Sequence, residues 1–259
     1  MQKIYGGTRM KQKIMLPMHY ENYVFDLYGT LVDIRTEEQS ELLWEKLSLF
    51  YGFYGAHYKP QELQQAYLTL VENKQDELKL ELETDERYAH EASPEIELTQ
   101  VFEELFFAKG VNADETLAIH AGQFFRILSM EYVNVYEGTH ELLNSLKEAG
   151  KNVYLLSNAQ RIFTAYEMQL MDIEKYFDGI LISSDYKTKK PDKRFFDILL
   201  EQYPMNPNTT LFIGNDSKTD IAGAKKVGFD TFYVKSNISP KGDFADTADY
   251  KFDNFKKWL

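Results

Sequence analysis

The chain has 259 residues and a formal net charge of −12. That length suits a large domain carrying an insertion rather than one small domain, and an apolar share of 44% is enough for a packed core. The acidity argues against nucleic acid and anionic lipid as partners. The lack of cysteine excludes disulfides, zinc–thiolate sites and thiol catalysis, and fits a reducing cytoplasm. No uninterrupted apolar run approaches the roughly 20 residues that span a bilayer, so a membrane partner is not expected. An acidic surface also repels phosphorylated metabolites, so a site for them needs a metal or a local lysine to reverse the field.

In chain order, residues 1–19 read as a loose leader: basic residues Lys3, Arg9, Lys11 and Lys13 without an apolar stretch of signal-peptide length. From Tyr20 the chain runs into YVFDLYG, a short β-rich stretch ending in a polar residue and a glycine. Residues 34–134 differ, being rich in Glu, Leu, Gln and Tyr. Leu42, Leu43, Leu47 and Phe50 share one face of a helix, as do Phe102, Leu105 and Phe106, and Leu117, Phe124, Phe125 and Leu128. This segment is expected to be a bundle of about four helices. The aromatics Phe50, Tyr51, Phe53, Tyr54 and Tyr58 read as its packing, and the acidic run from Glu77 to Glu86 as a solvated face.

After the insertion, strand-like runs recur: NVYLLSN at 152–158, GILISS at 179–184, TTLFIGN at 209–215 and DTFYV at 230–234. Helical stretches alternate with them: Thr139 to Ala149 stopped by Gly150, Arg161 to Met171, Asp192 to Tyr203, and Lys218 to Val227 stopped by Gly228. Alternation of this kind implies an α/β fold with a parallel sheet and right-handed crossovers. Ligands of such sheets bind at the carboxyl ends of the strands.

The polar residues at those strand ends form an informative set. They are Asp26; Ser157 and Asn158; Lys187, Lys189 and Lys190 with Pro191; and Gly214, Asn215, Asp216 and Asp220. Asp26 and Asp216 are hard oxygen ligands suited to Mg²⁺. Without a cation they would repel, and one would tend to protonate. Ser157 and Asn158 can donate to phosphoryl oxygens, and Lys190 can neutralise charge in a transition state. Asp26 can attack as a carboxylate nucleophile. Lys187 and Lys189 read as solvated loop charges, and His57, His90 and His120 as surface or packing residues.

The run Asp26-Leu27-Tyr28-Gly29-Thr30-Leu31 resembles motif I of the haloacid-dehalogenase-like (HAD) superfamily. Ser157-Asn158 resembles motif II, Lys190-Pro191-Asp192 motif III, and Gly214-Asn215-Asp216 with Asp220 the acidic motif IV, all in family order. The resemblance implies a Rossmann-like core at 20–33 and 135–259, with residues 34–134 as a helical cap closing over the cleft. It implies Asp26 as nucleophile and metal ligand, the Tyr28 carbonyl and Asp216 as further ligands, and Mg²⁺ as cofactor. Asp220 would hold the metal's waters or orient Lys190, Thr30 would help fix the motif I loop, and Gly29 would allow a sharp turn.

One position departs from the pattern. Phosphatases of the superfamily carry a second aspartate two residues after the nucleophile, as general acid, and here that residue is Tyr28. A tyrosine there resembles the 2-haloacid dehalogenases, which lack the acidic motif IV and use a cap arginine to hold substrate. Arg35, Arg87 and Arg126 are the candidates for that arginine. The intact Asp216 and Asp220 favour magnesium-dependent hydrolysis of a small phosphorylated metabolite through an aspartyl-phosphate on Asp26. The alternatives are a metal-independent dehalogenase and a binding or regulatory homologue with weak turnover.

Overall fold

The computed structural model describes residues 16–252 other than residue 89, together with Phe255 and Trp258. Most of the expected leader therefore lies outside the described residues. Its last part does not: Leu16 is buried in the core, and the Pro17 carbonyl accepts the Tyr23 hydroxyl at 2.7 Å.

The sheet is parallel, six-stranded and ordered β5-β4-β1-β6-β7-β8. Its members are β1 (Asn22–Phe25), β4 (Asn152–Ser157), β5 (Gly179–Ile182), β6 (Thr210–Gly214), β7 (Asp230–Val234) and β8 (Tyr250–Phe252). β1 lies at the centre, between β4 and β6, and all four of its residues are buried. Its side chains alternate between the two faces. Tyr23 and Phe25 join Leu155, Ile213, Leu142, Leu146 and Met168 in one core. Val24 joins Leu156, Phe212, Phe195, Phe196 and Leu199 in the other. Helices α5 (Thr139–Glu148) and α6 (Arg161–Leu170) thus cover one face, and α7 (Lys193–Gln202) with α8 (Ala222–Lys226) the other. This is a Rossmann-like α/β core, and the connections after the neighbouring strands β1 and β6 run to opposite sides, toward β4 and β7, which makes the crevice at the tips of β1 and β6 the natural ligand position.

Four helices are inserted after β1: α1 (Glu41–Phe53), α2 (Pro60–Glu83), α3 (Leu98–Phe107) and α4 (Glu115–Ser129). They close on a hydrophobic core of their own, with Trp44, Leu47, Tyr51, Phe102, Phe106 and Phe125 among its members. The aromatic group divides: Tyr51 is fully buried, whereas Phe53 is 87% exposed.

The ends of the insertion are not helical. β2 (Val32–Thr36) and β3 (Met130–Val135) form an antiparallel ribbon, with a bulge between Arg35 and Thr36. The segment expected as helical from Ile34 to Asn134 is therefore strand at both ends. The clue was the alternation of Val32 and Ile34 with Asp33 and Arg35, a period-two signal in a run too short to stand out. The helix expected from Lys218 begins instead as a wide turn, in which the Ile221 amide reaches the Asp216 carbonyl at 3.2 Å, before α8. A widened first turn of this kind is a common functional-site feature.

Candidate active site

Asp26, Tyr28, Asn158, Lys190, Asn215, Asp216, Thr219 and Asp220, with Ile238 and Pro240, line one cleft of about 250 Å³ at the strand tips. Ile238 and Pro240, from the loop after β7, had no signature in the sequence.

Lys190 is the electrostatic centre. The residue is 2% exposed, and its ammonium donates to Asp26 Oδ1 and Asp220 Oδ1, both at 2.7 Å. Burial works against its charge, but Asp220 and Asp26 outweigh that and hold its pKa above the usual lysine range. Asp220 shows the other side of the balance. Burial raises its carboxyl to about 7, opposed by Lys190 and reinforced by Asp26. Two buried carboxylates share one ammonium, so the cluster carries excess negative charge that a divalent cation would relieve.

Both oxygens of Asp220 accept hydrogen bonds. Oδ1 takes Lys190, and Oδ2 accepts the amides of Asn215 and Asp216 at 3.0 and 3.1 Å. These contacts join Asp220 to the Lys190 ammonium and to the loop after β6. Gly214 permits this approach, since a Cβ there would lie 2.4 Å from the Asp220 carboxylate. Asp216 uses Oδ1 to cap the following turn, accepting from Lys218 N and Thr219 N at 2.8 and 3.0 Å.

The motif I loop is tightly set. Gly29 has φ +87, and a Cβ on it would meet the Asn215 amide at 2.2 Å, so conformation and contact both demand glycine. Thr30 Oγ1 reaches Asp26 Oδ2 at 3.4 Å, while the Thr30 carbonyl accepts the indole of the buried Trp258 at 2.9 Å. Trp258 was not anticipated, because nothing in its local sequence links it to residue 30.

Asn158 clasps the Lys190 backbone: its Nδ2 donates one hydrogen to the Lys190 carbonyl at 2.9 Å and its Oδ1 accepts the Lys190 amide at 2.8 Å. Ser157 Oγ, by contrast, is buried with no hydrogen-bond partner among the described residues. Among the described residues no three His, Cys, Asp or Glu side chains form a ready metal cage. A cation here would draw on two carboxylates, a backbone carbonyl and water, a donor set of the hard-oxygen kind Mg²⁺ accepts while keeping several waters.

The Tyr28 hydroxyl is committed to α6. It donates to Glu167 Oε2 at 2.5 Å and lies 3.0 Å from Thr164 Oγ1. Burial, then the Glu167 charge, push its pKa above the usual tyrosine range, with Arg126 opposing. Arg126, from α4, grips Glu167 through Nε at 2.6 Å and Nη2 at 3.2 Å. The three arginines considered as substrate anchors are all paired, Arg35 with Glu131, Arg87 with Asp85 and Arg126 with Glu167.

Comparison with known proteins identifies the family. A pyrimidine 5'-nucleotidase, PynA, of Streptococcus pneumoniae is 26% identical over 220 residues, covering 83% of this chain and 84% of that protein. An (S)-2-haloacid dehalogenase, 4A, of Burkholderia cepacia is 29% identical over 114 residues, 44% of this chain and 49% of that one. Several other curated relatives, phosphatases by name, are also matched over only about half their length. Among solved structures, a HAD phosphatase from Thermococcus onnurineus superposes with a TM-score of 0.54 at 18% identity, covering 90% of this chain and 93% of that one. Residues 23–234 match the family of haloacid dehalogenase-like hydrolases, and the chain belongs to that family.

Proposed function

We propose that the chain is a Mg²⁺-dependent hydrolase of a small phosphorylated metabolite, acting through a phosphoryl group transferred to Asp26. The observation that carries this reading is the charge balance of the cleft: Asp26, Asp216 and Asp220 line it, with Lys190 as the ammonium held between two of them. Asp26, Asp216 and the Tyr28 carbonyl would hold Mg²⁺, which when bound offsets that excess and draws the phosphate into an acidic protein.

The chain's own residues account for the remaining steps. Lys190 holds the Asp26 carboxylate by Oδ1 and lies where it can neutralise charge developing on the phosphoryl oxygens. Asp220 and Asn158 hold Lys190 in that place, one by its head and one by its backbone. The Ser157 hydroxyl, without a hydrogen-bond partner among the described residues, would donate to a phosphoryl oxygen. Asp26 attacks phosphorus, the phosphorus–oxygen bond to the leaving group breaks, and water then takes the phosphoryl group from Asp26. The Tyr28 hydroxyl is turned to Glu167, which leaves the leaving group without the usual aspartic acid.

Substrates whose leaving groups need no proton should therefore be preferred. General acid–base help contributes about 10²–10⁴-fold, and an aryl phosphate should be cleaved faster than an alkyl phosphate by a factor in that range. Phosphate release from both, with and without Mg²⁺, and chloride release from 2-chloropropionate test the reading together. Expected is Mg²⁺-dependent phosphate release favouring the aryl ester. Chloride release without metal would support instead the dehalogenase reading that Tyr28 and the Burkholderia relative bring forward.

A further inference from the structure

Glu167 is 1% exposed, and its carboxylate lies where three parts of the molecule meet. Tyr28 belongs to the nucleophile loop, Glu167 and Thr164 to α6 of the core, and Arg126 to α4 of the inserted helices. The Arg126 guanidinium also lies over the ring of Phe163, 5.2 Å from its centroid, so it is packed as well as paired. Glu38, in the segment between β2 and α1, adds a second negative charge near the same guanidinium. A buried ion pair breaks at high cost unless both charges find new partners.

We propose that Arg126 and Glu167 are positioning residues that, through the Tyr28 hydroxyl, make the set of the nucleophile loop depend on how the cap sits on the core. Tyr28 is two residues from Asp26. Its loop is a tight turn, with Gly29 N to Val32 O at 2.7 Å and Leu31 N to Leu27 O at 2.8 Å. α4 runs straight into β3, which pairs with β2 at the far end of that loop. A shift of α4 against α6 therefore pulls Arg126 from Glu167, frees the Tyr28 side chain and moves the strand that follows the loop. The tyrosine in place of the acid then has a purpose: an aspartate at position 28 is too short to reach Glu167 as this phenol does, and its charge would repel that carboxylate. The activity part of this inference rests on the phosphatase reading; the mechanical part does not.

The test combines amide hydrogen exchange of residues 27–32 with kcat and KM for an aryl phosphate, in the full chain. In Arg126→Met/Glu167→Met both charges are removed together, so no uncompensated ion remains to unfold the protein. In Tyr28→Phe the ion pair stays and only the hydroxyl link is lost, which keeps the test alive if the double variant does not fold. Both are expected to raise exchange across residues 27–32 by about tenfold, with melting temperature little changed, and to lower kcat more than KM is altered. The triple variant should be no worse than either, since residues acting as one unit are non-additive. Unchanged exchange in Tyr28→Phe, or effects that add in the triple variant, would overturn the proposal. An inactive wild type with the expected exchange pattern would reject the phosphatase reading and leave the latch standing.

Discussion

Asp26→Asn is expected to reduce phosphate release to background, a loss of about 10⁴-fold or more of the kind seen when a nucleophile is removed. The amide keeps the shape of the carboxylate but cannot attack phosphorus, and it takes one charge from the proposed cation site. Stability should change little. The cluster around Lys190 holds more negative than positive charge, and burial with Asp26 as a neighbour raises Asp220 to about 7. Removing the Asp26 charge relieves that repulsion, although the contact to Lys190 is weakened. The variant should therefore melt cooperatively and near the wild-type temperature. Residual turnover within tenfold of wild type would remove Asp26 from the nucleophile's role.

Lys190→Met should cost both activity and stability. Methionine fills most of the volume but leaves Asp26 and Asp220 facing each other in a buried site with no ammonium between them. Breaking a buried pair by deleting one partner destabilises by about 3–5 kcal/mol, or about 10 °C in melting temperature for a chain of this size. Mg²⁺ should recover part of that loss, because a cation that binds only the folded state stabilises it by mass action. Turnover should not recover, since the ammonium aimed at the phosphoryl oxygens is gone. A melting curve indifferent to Mg²⁺ in this variant would count against a cation site beside Asp26.

Much of this site was legible because its residues sit at strand ends, where local pattern and position coincide. Asp26 after a buried strand, Ser157 after the next, and Asp216 after Gly214 each follow an apolar run that the eye can find, and the parallel sheet brings their tips together. The alternation of strands and helices carried the core in the same way. What was not legible depends on contacts between distant residues. Asn158 looked like a donor to substrate, and only the fold puts the Lys190 backbone against its amide. The contacts of Asp220 to the Lys190 ammonium and to the amides of Asn215 and Asp216 likewise follow from the fold and not from the local sequence. Glu167, Arg126 and Trp258 carry no motif, and the contacts that tie them to the nucleophile loop and to one another join residues 139, 41 and 228 positions apart along the chain. The ribbon of β2 and β3 was hidden for a different reason: each strand is short, and each adjoins a helical segment with a stronger periodicity.

The most direct test of the central claim is to catch the phosphoryl group on Asp26. Enzyme in excess would be mixed with an aryl phosphate and Mg²⁺, quenched in acid within the first turnover, digested, and the peptide containing Asp26 weighed. The account predicts a transient population of that peptide heavier by one phosphoryl group, absent from Asp26→Asn. Phosphate released at the wild-type rate with no such adduct at any quench time, or an adduct on another residue, would contradict it.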